Sequence, residues 1–300
     1  MRVLLALIRN DLRLAFRDKV VIFFNYGFPL VFFFCFAEIM NTQTERAISY
    51  VLSTVTIVGV LGNGLFGAGM RAVQERENQI LRRFKVAPIT PTPILCASII
   101  SGVLVYIPIL GILLVLAHYF YLLPLPATWP SLIVLVILGT AAFRSMGLIL
   151  AAVANSSQES NILIQVFYMP MLFLSGATFP ITLIPNWAQI LSQYLPASYL
   201  VVAFRGILLR EESLADNSVA VGALILTLCL SLFIAIRLFR WDKEERISSS
   251  AKLSVVIALS PFLVLGTYQI LSGDQYIQRA QQLWEIGDQT KVIENTLELE

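Results

Sequence analysis

Seven apolar runs set the limits on what this chain can fold into: Val20–Met40, Tyr50–Met70, Ile94–Leu123, Ser131–Ala154, Ile162–Phe179, Ser218–Phe239 and Leu253–Ser272. Crossing a hydrocarbon core takes about 20 apolar residues per helix, and in lipid every backbone donor must be satisfied within the protein. The runs therefore predict membrane-spanning helices and an all-α, polytopic membrane protein. Composition leaves no room for a soluble domain, with 57% hydrophobic residues, 13% charged and a mean hydropathy of +0.78. The three cysteines, Cys35, Cys96 and Cys229, fall inside runs and form no CxxC or Cys/His cluster, so neither a disulfide framework nor a metal site is expected. The basic N-terminus and the run after it have no small-x-small cleavage pattern and read as a retained first span.

Lys and Arg set the orientation. One side collects Arg2, Arg9, Arg13, Arg17 and Lys19, then Arg71, Arg76, Arg82, Arg83 and Lys85, then Arg237, Arg240, Lys243, Arg246 and Lys252. The other side holds Arg46, Arg205, Arg210, Arg279 and Lys291. The N-terminus is expected in the cytoplasm, and seven crossings place the C-terminus outside the cell (inner) membrane. The positives sit at helix ends, so the net charge of +2 implies no nucleic-acid partner.

Residues 2–19 predict an amphipathic helix, with Leu4, Leu5, Ile8, Leu12, Ala15 and Phe16 at helical spacing and Arg9, Arg13 and Arg17 four residues apart. It can lie on membrane lipid with its basic face toward anionic headgroups, or serve only as a topology signal. Residues 71–87, RAVQERENQILRRFKVA, predict a charged cytoplasmic helix closed by Pro88, Pro91 and Pro93. Val73, Ile80, Leu81 and Phe84 share one face of it.

Ser175–Leu209 is too apolar for an ordinary exposed loop, yet Pro180, Pro185 and Pro196 oppose one continuous helix. Two short helices, Trp187–Tyr194 and Ser198–Leu208, fit better. They can dip into one face of the bilayer, or belong to an external loop with an aromatic belt of Phe179, Trp187, Tyr194 and Tyr199.

These two stretches together resemble the permease subunits of ABC-2 type ABC transporters, over about Arg9–Phe239. In that family a helix of the form E-x-x-x-x-x-L-x-R, followed by Pro, docks on the ATPase, and Glu75, Leu81, Arg83 and Pro88 stand at those positions here. The resemblance marks Glu75, Arg76, Glu77, Leu81, Arg82, Arg83 and Phe84 as the ATPase-coupling set. Ser175, Gly176, Pro180, Pro185, Trp187, Pro196, Tyr199 and Arg205 fill the family's small-Gly-x-x-x-Pro-x-x-x-x-Pro-x-W, Pro-x-x-Tyr and later-Arg marks. What it implies is a six-helix bundle over 1–252, with a coupling helix at 71–87 and external re-entrant helices at 180–209. It also implies a homodimer or heterodimer of permeases on a separate ABC ATPase that carries ATP and Mg, and export of a drug, lipid or glycoconjugate. The run at 253–272 is then an additional seventh span, and 273–300 an acidic external tail expected to be solvated.

Arg144 stands well inside the fourth run, about 11 positions or 16 Å of helix from Asn155. At a helix centre an Arg costs roughly 2.5–3.5 kcal/mol on insertion scales. It departs from the apolar residue usual in the family, and two readings stay open. Arg144 lines a translocation path, or it pairs with carbonyls, Glu159 or a partner subunit. No G-x-x-x-x-G-K-[ST] loop occurs, so the chain itself is expected to bind no nucleotide cofactor and to be no enzyme. An ion-coupled secondary transporter would want midplane carboxylates and internal repeats, which the runs do not offer; a non-transporting membrane scaffold stays open.

Overall fold

The computed structural model describes residues 2–40, 45–81, 84, 89–124, 126–242, 249–273 and 276–283, with side chains from 47 in the second stretch and from 257 in the sixth. Among them there is no strand. The helices are α1 (Arg2–Ala15), α2 (Lys19–Ile39), α3 (Glu45–Glu77), α4 (Pro91–Tyr121), α5 (Trp129–Val153) and α6 (Ser157–Leu174), then α7 (Asn186–Ser192), α8 (Pro196–Arg210), α9 (Ser218–Arg237), α10 (Ser249–Leu271) and α11 (276–283). Of these, α2, α3, α4, α5 and α9 are long and apolar enough to cross a membrane by themselves. The chain is an all-α, polytopic membrane protein.

The centre is α5, which packs against α3, α4, α6, α8, α9 and α10. Lipid tails are as apolar as leucine, so helices in a bilayer associate through close packing and hydrogen bonds rather than by leaving water. The α3–α5 crossing shows how close that packing is. A Cβ on Gly64 would stand 2.4 Å from the Phe143 Cβ, and one on Gly147 would stand 2.7 Å from the Leu65 carbonyl oxygen. Of the second run's glycines, Gly64, Gly67 and Gly69 face α5, whereas Gly59 faces Tyr106 of α4. In α2, a π-helical turn at Phe23–Gly27 precedes Pro29, whose ring would otherwise crowd the carbonyl four residues back.

Three expectations need correction. Residues 71–87 are not one separate helix. Nothing between Met70 and Glu77 breaks a helix, so α3 continues through Glu77 and stops where Gln79 adopts a left-handed φ of 56°. Helix resumes at Ile80 and Leu81, while Arg82, Arg83 and Lys85–Pro88 lie outside the described residues. The fifth run begins its helix five residues early, because Ser156 caps it by accepting the Glu159 amide at 3.1 Å. The resulting first turn, Ser157–Ser160, is polar, so α6 is not apolar enough to span alone. Finally, the solvated tail is in part a docked helix. In α11, Tyr276, Ile277 and Leu283 are buried against Ile181 and Val202. Residues 284–300 lie outside the described residues.

The N-terminal helix turns its apolar face to the protein. Leu4, Ile8, Asp11, Leu12 and Ala15 lie on the half-covered side of α1, which packs on α4, while Arg9, Arg13 and Arg17 point away.

Candidate functional site

Two polar centres stand at opposite ends of α3. At its C-terminal end, Arg76 is 4% exposed and donates from Nη1 to the Ala151 carbonyl at 3.0 Å and from Nη2 to the Ala154 carbonyl. The last carbonyls of a helix have no partners within it and carry its partial negative charge, so a guanidinium is well placed there. Arg240, just past α9, also donates to the Ala154 carbonyl and reaches Asn155 Oδ1 at 3.4 Å. Glu77 accepts from the Ser157 amide at 3.1 Å and from the Ser157 hydroxyl, which puts a carboxylate at the N-terminus of α6. One polar knot therefore joins the ends of α3, α5, α6 and α9. Directly beyond it the helix is interrupted by a turn at Gln79, and Asn78, Gln79 and Ile80 are exposed.

Glu75, Arg76 and Glu77 thus engage the chain itself. Glu75 accepts from Arg71 at 2.8 Å, and Arg71 also donates to Asp11 of α1 at 2.6 Å. Leu81 is buried and Phe84 half-buried; Arg82 and Arg83 are outside the described residues.

Arg144 is closed inside the bundle at 4% exposure. Its Nε donates to the Ser98 carbonyl at 3.0 Å and Nη2 to Ser98 Oγ at 3.3 Å. Nη1 reaches the Asn63 carbonyl at 3.2 Å and Asn63 Oδ1 at 3.0 Å. Space for the guanidinium comes from Gly102, where a Cβ would stand 2.0 Å from the Arg144 Cζ. The carbonyl partners of the second reading are thus Ser98 and Asn63. Glu159 is not among them, since it accepts from the Asn155 amide instead.

At the other end, Ser175 and Gly176 end α6, and Gly176 takes a φ of 82° that side chains strongly disfavour. Pro180 opens a 3₁₀ turn at Ile181–Leu183, Pro185 caps α7, and Pro196 starts α8 at a position where its missing donor has no role. Trp187 is 63% exposed, whereas Tyr199 is buried and donates to the Gln193 carbonyl at 2.9 Å. Arg205 is buried, donating to Ser53 Oγ at 3.0 Å and to the Ala177 carbonyl at 3.4 Å, with its Cζ 4.1 Å from the centre of the Tyr50 ring. The fixed turn at Gly176 is thereby tied to the start of α3. In the α8–α9 loop, the Ser213 hydroxyl and amide hold the Asp216 carboxyl below the usual carboxylate range.

Arg240 and Asp11 are the site residues that motif reading passes over. Arg240 sits in RLFRWDKEER, where it looks like one more basic residue at a span's end. Asp11 was more legible, because it falls on the apolar face between Ile8 and Leu12, where a lone acid needs a partner.

The geometry is matched by kinship. The family model described as ABC-2 type transporter matches residues 2–209. The chain belongs to the ABC-2 transporter family. This ABC-2 permease is similar to YvfS of Bacillus subtilis (strain 168), named as a transport permease, at 22% identity over 62% of the chain and 78% of that protein. It is similar to the inner membrane transport permease YhhJ of Escherichia coli (strain K12) at 27% over 53% of the chain and 42% of that protein. YbhR of the same strain, named as a multidrug ABC transporter permease, shares 23% over 55% of the chain and 44% of that protein. The chain thus spans less than half the length of YhhJ and YbhR. The permease's α9, α10 and α11 lie beyond the matched residues.

Proposed function

We propose that this permease is the moving membrane subunit of an ATP-driven exporter, worked by a separate ABC ATPase that docks at the Gln79–Ile80 elbow. The observation that carries this is the knot at Ala154. A push on the residues after Gln79 enters α3 at Glu77 and Arg76, and from there reaches α5, α6 and α9 through bonded side chains rather than through a flexible loop. Such a junction converts a local displacement into rigid-body motion of the bundle. Glu75, Arg76 and Glu77 then act as the inner anchor of coupling, and Leu81, Arg82, Arg83 and Phe84 belong to the segment that meets the ATPase.

Charge supports a cytoplasmic position for this end. Arg2, Arg9, Arg13, Arg17, Lys19, Arg71, Arg76, Arg237 and Arg240 belong to it, against Arg205, Arg210 and Arg279 at the other. The short helices α7 and α8 then lie toward the outside as the re-entrant part. A second permease copy, identical or related, is supported by α6. Its Ile162, Val166, Met169 and Phe173 form an exposed stripe at spacings of three and four, on a helix too polar to span alone. The cargo proposed is a drug, lipid or glycoconjugate, the classes exported in the family, and the name of the relative YbhR is in keeping with the first.

The test is affinity purification of the tagged chain from its native host. A co-purifying ATPase whose hydrolysis rate rises in the presence of the permease supports the proposal, and a chain that never brings down an ATPase refutes it.

A further inference from the structure

The residues beyond the family match do more than add a helix. Phe262 of α10 is fully buried with its ring 5.5 Å from that of Tyr199, and Gly266 lies so close to Tyr194 that a Cβ would stand 2.5 Å from the ring. The helix therefore rises along the α7–α8 junction. Gly273 takes a φ of 86° just after α10, and α11 lies over the outer short helices. There it touches the 3₁₀ turn, α7, α8 and the loop before α9. Tyr276, Ile277 and Leu283 cover Ile181 and Val202, and Gln281 Nε2 donates to Gln189 Oε1 of α7 at 3.3 Å. Arg279 pairs with Glu212 and donates to Asn217 Oδ1 at 2.8 Å, both in the loop that opens α9.

This contact has a built seat. Gly206 of α8 lies under it, where a Cβ would stand 2.1 Å from Glu212 Oε2 and 3.3 Å from Arg279 Nη2. A side chain there would push the carboxylate off its partner. The ion pair is only partly covered, with side-chain exposures of 32% for Arg279 and 16% for Glu212. Pairs of that kind are weak enough to open.

We propose that α10 and α11 form a strap over the outer short helices, that Arg279 is its fastening, and that outward opening requires the fastening to release. The reasoning is mechanical and rests on the permease reading. α11 bridges two bodies: Ile181, Gln189 and Val202, with Glu212 at the end of α8, where its amide donates to the Gly206 carbonyl, on one side, and Asn217 at the head of α9 on the other, and Arg279 touches both. α7 and α8 cannot move relative to α9 without breaking one set of bonds. Arg279 is a positioning residue in this scheme, and it holds the closed arrangement.

Two measurements on the full chain, with Cys35, Cys96 and Cys229 replaced by Ala, test it. In the first, Val202→Cys reports whether α11 covers α8, by its rate of labelling with a polar maleimide in detergent micelles. Arg279→Glu should raise that rate about tenfold, the factor given by about 1.4 kcal/mol of lost strap binding, and Glu212→Arg with Arg279→Glu should restore protection. Equal labelling with and without Arg279 overturns the fastening. In the second, Gln189→Cys with Gln281→Cys is oxidised to a disulfide, and ATP hydrolysis by the co-purified ATPase is followed. Hydrolysis should fall to the level of the ATPase alone and recover on reduction. The same stimulated rate in both redox states overturns the strap and leaves the permease reading intact. Failure of the reduced form to stimulate at all refutes the permease reading, and the labelling result then decides the strap.

Discussion

Arg76, on α3, and Arg240, just past α9 and more than 150 positions away in the chain, both donate to the carbonyl oxygen of Ala154. Two like charges share one acceptor because the end of α5 offers several unpaired carbonyls and the negative pole of its dipole. A hydrogen bond to a charged group contributes about 1.5–3 kcal/mol, so Arg76→Gln and Arg240→Gln should each destabilise the folded chain by roughly that much. Because they share a partner, their effects should not add, and the double variant should depart from the sum by about 0.5–3 kcal/mol. Thermal unfolding of the four proteins in detergent checks this.

For Arg144 the expectation is a loss of stability rather than of transport selectivity alone. Gly102→Ala places a methyl group where the guanidinium stands, and overpacking of this kind costs about 1–3 kcal/mol. Combining it with Arg144→Leu frees that space, so the pair should be more stable than the sum of the two single changes predicts. Thermal melts of the singles and the double measure the coupling.

Asp11 anchors α1 through Arg71 and, at 3.4 Å, Ser101. Asp11→Asn removes the charge but keeps the shape. Amide exchange across Arg2–Ala15 should then rise about tenfold, as about 1.4 kcal/mol of lost docking implies, while α5 keeps its protection. Unchanged exchange in α1 would show that its apolar face alone holds it.

Gly176 has no substitute at its turn. Gly176→Ala should destabilise the chain by about 1–2 kcal/mol, since an L-residue in the left-handed region carries that penalty. Thermal unfolding against the parent provides the measurement.

Much of this molecule was readable from residue spacing. Five of the apolar runs fall on the helices long and apolar enough to span, and Pro180, Pro185 and Pro196 foretell α7 and α8, because proline acts locally. The end of α3 was not readable. Arg71, Glu75, Arg76 and Glu77 look like the solvated face of a separate helix, and only the folded bundle shows that each finds a partner on α1, α3, α5 or α6. Arg144 was ambiguous for the same reason, since its partners Asn63 and Ser98 lie 81 and 46 positions away. In α11, the apolar set Tyr276, Ile277 and Leu283 is too short to reveal what it covers until Ile181 and Val202 are placed beside it.

The central claim is that a separate ATPase grips the chain just past Gln79. Replacing Ile80, which is 38% exposed, with a photo-crosslinking phenylalanine in intact membranes tests it most directly. The account predicts an adduct between the permease and its ATPase subunit, lost when the same probe is placed at Leu183 beside α7. Crosslinks from position 80 to lipid alone, or to proteins on the outer face, would contradict it.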